Sequence, residues 1–151
     1  MNENVPPLTL AEASAMVAAA QAHAATLAVP YSIAVVDGGG HLLHFVRADG
    51  GVAGCVELAI NKAHTAVMFG QPTDALGVLA QPAAPLFGIQ HALAGRAVVF
   101  GGGIPIRVDG RLVGAIGASA GTVEQDVAVA RSGVRALLDT SVASQRRSPS
   151  S

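Results

Sequence analysis

A mixed α+β fold, with a five-stranded antiparallel sheet flanked by helices, is the fold class that three features of the 151-residue sequence predict. Two capping boxes open helices near opposite ends of the chain. Two strand-turn-strand patterns lie between them. The alternation of strands with crossover helices that builds a parallel sheet is absent.

The elements follow in order. Thr9-Leu10-Ala11-Glu12 is the first capping box, and the alanine-rich run behind it predicts a helix to about Leu27, stopped by Pro30. Tyr31 to Val36 is rich in β-branched residues and meets Asp37-Gly38-Gly39-Gly40 before a second run from His41 to Val46, which predicts two strands around a tight turn. After the loop Arg47 to Gly51, apolar residues at Cys55, Leu58, Ala59, Ala66 and Phe69 have helical spacing over Val52 to Phe69. Prolines and glycines from Gly70 to Gly95 predict short helical turns and loop. Ala97 to Phe100 reads as a third strand, and Ile104 to Val108 with Arg111 to Ala118 as a hairpin closed by Asp109-Gly110. Thr122-Val123-Glu124-Gln125 is the second capping box, opening a helix to about Leu138, and the Ser/Arg-rich segment 141–151 is expected to fray.

Composition limits the function classes. Hydrophobic residues make up 51% of the chain and charged ones 13%, which suits one globular domain over residues 1–151 with its core at about 8–138. Aromatics are 3% and tryptophan is absent, so the interior is expected to be close-packed, with part of the surface buried against other copies of the chain. A formal net charge of −1 removes the basic footprint of a nucleic-acid or anionic-membrane binder. Glu12, Gln21 and His23 interrupt the apolar stretch from Leu8 to Pro30, so no membrane span is expected. A lone cysteine, Cys55, and an N-terminus without signal features point to the cytoplasm.

The run Ser32 to Leu43, the loop Arg47-Ala48-Asp49-Gly50-Gly51, the element Lys62-Ala63-His64-Thr65-Ala66, the turn Gly102-Gly103-Ile104-Pro105 and the stretch Gly114 to Ser119 with Glu124-Gln125-Asp126 occur in one order. Together they resemble the GlcG/HbpS heme-binding-like family, related to the C-terminal domain of PduO-type corrinoid adenosyltransferases. That resemblance spans roughly Leu8 to Leu138. It implies a profilin-like domain, a homo-oligomer such as a dimer, hexamer or octamer, and heme or a related tetrapyrrole as ligand. Two departures stand out: Gly117-Ala118-Ser119-Ala120 replaces a Gly-Val-Ser-Gly-like run, and His64 stands where members often carry Arg or a bulky residue.

Heme needs an apolar slot, an axial donor and cations near its propionates. Candidate donors are His41, His44, His64, His91, Met68 and Cys55, with His64 preferred for the iron. Glu57, Asn61, His64 and Met68 share one helical face, either an exposed stripe or a ligand site. His41 and His44 differ by three along a strand and face opposite sides. His41 belongs to the family's Gly-Gly-His turn, and Thr73 matches its Gly-x-Pro-Thr element, where it is either an oxygen donor or a helix N-cap. Lys62 and Arg47 are candidate anion partners, although Lys62 alternatively forms an ion pair with Asp37, Asp49 or Asp126. Gly102 and Gly103 border the expected site, where glycines serve either a ligand or close backbone approach. The helix sets Lys62 and His64 about 200° apart, so one small ligand meets both only at a subunit contact.

Three functional readings follow. The first is an oligomeric protein binding heme or another small molecule. The second is a small-molecule enzyme with a pocket at a subunit boundary, using His64, His41 or Lys62 as acid-base groups. The third is a ligand-free oligomeric scaffold.

Overall fold

The structure is a computed structural model that describes residues 5–147, with side-chain detail as far as residue 140. The elements run α1 (Leu10–Leu27), β1 (Ser32–Asp37), β2 (Leu42–Arg47), α2 (Ala53–Phe69), α3 (Thr73–Leu79), a 3-10 turn (Ile89–His91), β3 (Gly103–Val108), β4 (Arg111–Ser119) and α4 (Val123–Arg147). The strands form a sheet in the order β2-β1-β4-β3, antiparallel throughout. An α+β architecture is thus present, with four strands among the described residues where the sequence predicts five.

The missing strand is Ala97–Phe100. Its backbone donors go elsewhere: the Val98 amide donates to Thr65 Oγ1 on α2 at 3.0 Å, and the Ala97 amide to the Ala92 carbonyl at 3.4 Å. Ala97 and Val98 are apolar because they are buried beside α2, and burial alone does not make a strand. A second correction concerns the C-terminus, where α4 continues to Arg147, well past Leu138. Residues 148–151 of the expected frayed segment lie outside the described residues.

Local chemistry accounts for the other boundaries. Both capping boxes form: Thr9 and Glu12 exchange bonds of 2.8 and 3.1 Å, and Thr122 and Gln125 bonds of 3.0 and 3.2 Å. Asp109 and Gly110 have φ of 50° and 77°, as a two-residue hairpin turn of type I′ requires. Gly70, left-handed at φ 62°, ends α2.

The helices divide between the two faces of the sheet. One core gathers Met16, Val17 and Ala20 of α1 with Ile33 and Val35 of β1, Ile116 of β4 and Val129 of α4. The other packs Ala59, Ala63, Ala66 and Val67 of α2 on Ala34, Val36 and Ala115. Contact on the α2 side is backbone-close, since a Cβ on Gly117 would run into the Ala59 carbonyl and one on Gly103 into the Lys62 carbonyl. The alanine and glycine content therefore serves the close-packed interior expected from composition.

Candidate functional site

Lys62 lies in the middle of α2, completely buried. Its Nζ donates to Asp126 Oδ2 at 2.7 Å and to the Ala118 carbonyl at 3.0 Å, and stands 4.9 Å from the centre of the Phe100 ring. Asp126, in the first turn of α4, also accepts through Oδ1 from the Tyr31 hydroxyl at 2.8 Å and from the amides of Ala120 and Gly121 at 3.2 and 3.0 Å. Burial, then the neighbouring carboxylate, pushes the Tyr31 phenol well above its ordinary value. Of the three aspartates considered for Lys62, Asp126 is the one that pairs with it. All three directions of the ammonium are occupied, so Lys62 is enclosed by the protein. The same ammonium explains Gly102, where a Cβ would sit 2.7 Å from Lys62 Nζ.

Beside the Phe100 ring a groove of about 340 Å³ opens between α2 and residues 90–100. Glu57, Leu58 and Asn61 form one wall, and Arg96, Val98 and Phe100 the other. Thr65 fastens the two walls: its hydroxyl donates to the Asn61 carbonyl at 2.7 Å and accepts from the Val98 amide. Glu57 and Arg96 are exposed. Asn61 is 9% exposed, and its carboxamide makes no hydrogen bond to the protein among the described residues.

His64 sits apart from this groove. Its neighbours are the β1–β2 turn and Met68: Nδ1 lies 3.5 Å from the Gly40 carbonyl, and a Cβ on Gly40 would meet both Met68 and the imidazole. His41 flanks the same turn, with Nδ1 3.2 Å from Asp37 Oδ1 and its side chain 81% exposed. Burial opposes ionisation of Asp37, but the amides of His41 and Gly39 and the His41 imidazole outweigh it and hold the carboxyl below its ordinary value. The four-residue stripe read from the sequence is thus split, Glu57 and Asn61 on the groove, His64 and Met68 at the turn.

The remaining candidates are dispersed. Arg47 ends β2, about 17 Å along the strand from Leu42 at a rise of ~3.3 Å per residue, and so lies at the far end from the His64 corner. His91 is exposed at the end of the 3-10 turn, next in sequence to Gln90 on the groove. Nδ1 of His44 pairs with the Ser14 hydroxyl at 3.1 Å, and Cys55 is half-buried with a free thiol. Thr73 is not the N-cap of α3, a place taken by Pro72. Its buried hydroxyl instead accepts from the Gly103 amide at 2.9 Å, tying α3 to β3.

Sequence reasoning passed over Tyr31, Phe100 and Thr65 as functional residues. Tyr31 read as the start of a strand, Phe100 as the end of another, and Thr65 as part of a motif. Only Thr65 carried a usable signal, standing four residues after Asn61 and so one turn along the same face.

Comparison with known proteins places this geometry in a family. Residues 8–135 match the family model described as haem degrading protein HbpS-like. The 15.0 kDa protein of the dhaT-dhaS intergenic region of Citrobacter freundii is 39% identical over 125 residues, 83% of this chain and 88% of that protein. The corrinoid adenosyltransferase PduO of Salmonella typhimurium is 38% identical over 119 residues, 79% of this chain but 35% of PduO. The crystal structure of a PduOC:heme complex superposes with a TM-score of 0.84 at 35% identity, covering 87% of this chain and 95% of that one. A match over nearly the whole folded region, with the same fold in the solved relative, means that the chain belongs to the HbpS-like family.

Proposed function

We propose that this protein is a cytoplasmic homo-oligomer on a profilin-like scaffold that binds heme or a related tetrapyrrole, with His64 as the axial donor. The observation that carries the reading is the pairing of His64 Nδ1 with the Gly40 carbonyl, at 3.5 Å. A metal-binding histidine ordinarily donates its second ring N–H to a backbone carbonyl or carboxylate, which leaves Nε2 as the acceptor for the metal. Met68, 39% exposed, adds apolar surface beside the ring. Likeness to the PduOC:heme complex supports heme as the ligand class.

Neither of the two cations expected from the sequence stands beside that donor. Lys62 is enclosed with Asp126, and Arg47 lies at the other end of β2. Arg111, which lines a cavity with Asp37, Gly38 and Gly39 of the β1–β2 turn, is a cation on that side of the subunit, and another copy covers the second face of a macrocycle at His64.

Hemin titration of the purified protein, followed by absorption and by light scattering, tests this. A defined Soret band is expected in wild type and in His23→Ala, absent in His64→Ala, from a species larger than one 15.0 kDa chain. The same ill-defined spectrum in all three proteins, or the mass of one chain with hemin bound, overturns the reading.

A further inference from the structure

We infer that the groove between α2 and residues 90–100 is a second ligand site, built for a small zwitterion with an apolar body, of the class of aromatic amino acids. It is separate from the His64 corner and does not depend on heme binding. Asn61 carries the first part of the inference. Its carboxamide belongs to a residue more than nine-tenths buried, lines the groove, and has no protein hydrogen bond among the described residues. Ser32 Oγ is the buried side-chain polar atom left without a partner among the described residues, so the Asn61 amide still reaches solvent and is open to water or to a ligand in the groove.

The rest of the lining selects the ligand. Glu57 stands one helical turn before Asn61 on the same face, placing a carboxylate and an amide oxygen side by side as acceptors for an ammonium group. Arg96 faces them from the other wall. Its Nε is bonded to the Leu93 carbonyl at 3.1 Å, and its terminal nitrogens have no partner among the described residues. A guanidinium presented this way suits a carboxylate, the geometry in which it bonds through two parallel N–H groups. Glu57 and Arg96 form no ion pair with each other, so each charge is left to a ligand. Leu58, Val98 and the Phe100 ring, 43% exposed, supply the apolar surface for the ligand's body. At about 340 Å³ the groove is at the small end of ligand pockets, which suits one amino acid and not a macrocycle.

Calorimetric titration of the full chain with L-phenylalanine, 3-phenylpropanoate and 2-phenylethylamine tests the assignment, since the second lacks the ammonium and the third the carboxylate. Wild type is expected to bind L-phenylalanine saturably and each analogue about tenfold more weakly. Arg96→Met should erase the preference over 2-phenylethylamine, and Glu57→Gln the preference over 3-phenylpropanoate. Asn61→Leu should weaken L-phenylalanine itself, while His64→Ala leaves all three affinities unchanged. Both charged positions are exposed, so their variants carry the test even where Asn61→Leu does not fold. Absence of saturable binding, meaning that water alone meets Asn61, overturns the inference. So does an analogue ranking that Arg96→Met and Glu57→Gln leave unaltered.

Discussion

Replacing Lys62 by methionine removes one charge from a pair that is almost wholly out of water, 0% exposed on the lysine side chain and 5% on Asp126. Breaking such a pair from one side ordinarily costs about 3–5 kcal/mol, because the surviving charge stays buried. Here the surviving carboxylate keeps three donors, the Tyr31 hydroxyl and the amides of Ala120 and Gly121. The cost of Lys62→Met therefore belongs at the lower end, about 3 kcal/mol. Asp126→Leu is worse, since it strands the ammonium with one carbonyl and the Phe100 ring and leaves the Tyr31 hydroxyl and two amides without their acceptor. For a chain of this size 3 kcal/mol lowers the melting temperature by about 6–12 °C. Thermal melts by circular dichroism at one protein concentration, held fixed because assembly shifts apparent stability, measure both variants. A Lys62→Met melt within about 2 °C of wild type, or an Asp126→Leu protein more stable than Lys62→Met, would refute the account of Asp126 as the hub of the network.

Gly110→Val places a β-branched residue at φ 77° in the β3–β4 turn and should cost on the order of 1 kcal/mol or more in urea denaturation; an unchanged midpoint removes the turn from the stability of the hairpin. Tyr31 titrates above its ordinary 10.0 when folded, so the unfolded chain loses that proton first and stability falls as pH rises beyond 10.0, by up to about 1.4 kcal/mol per pH unit. Tyr31→Phe should flatten that alkaline slope while lowering stability at neutral pH, and identical slopes in the two proteins would show that the phenol does not carry it.

Much of the framework was legible in sequence because it rests on local chemistry. Thr9 with Glu12 and Thr122 with Gln125 open helices through bonds spanning three residues, and Asp109-Gly110 turns a hairpin through its own backbone preferences. The motifs spread from Ser32 to Asp126 were enough to place the chain in the HbpS-like family. The tertiary structure decided what those residues do. Ala97–Phe100 has the composition of a strand, but the hydroxyl of Thr65, distant in sequence, takes the Val98 amide. Lys62 had three aspartates to choose from, and α4 crossing the end of β4 brought Asp126 within 2.7 Å. Helical spacing put Asn61 and His64 on one face, yet the loops packed against α2 assigned Asn61 to a groove and His64 to the Gly40 turn. A bond spanning three residues is written into the chain beside its partner, whereas a partner 33 or 64 residues away is selected only when the sheet and helices close together.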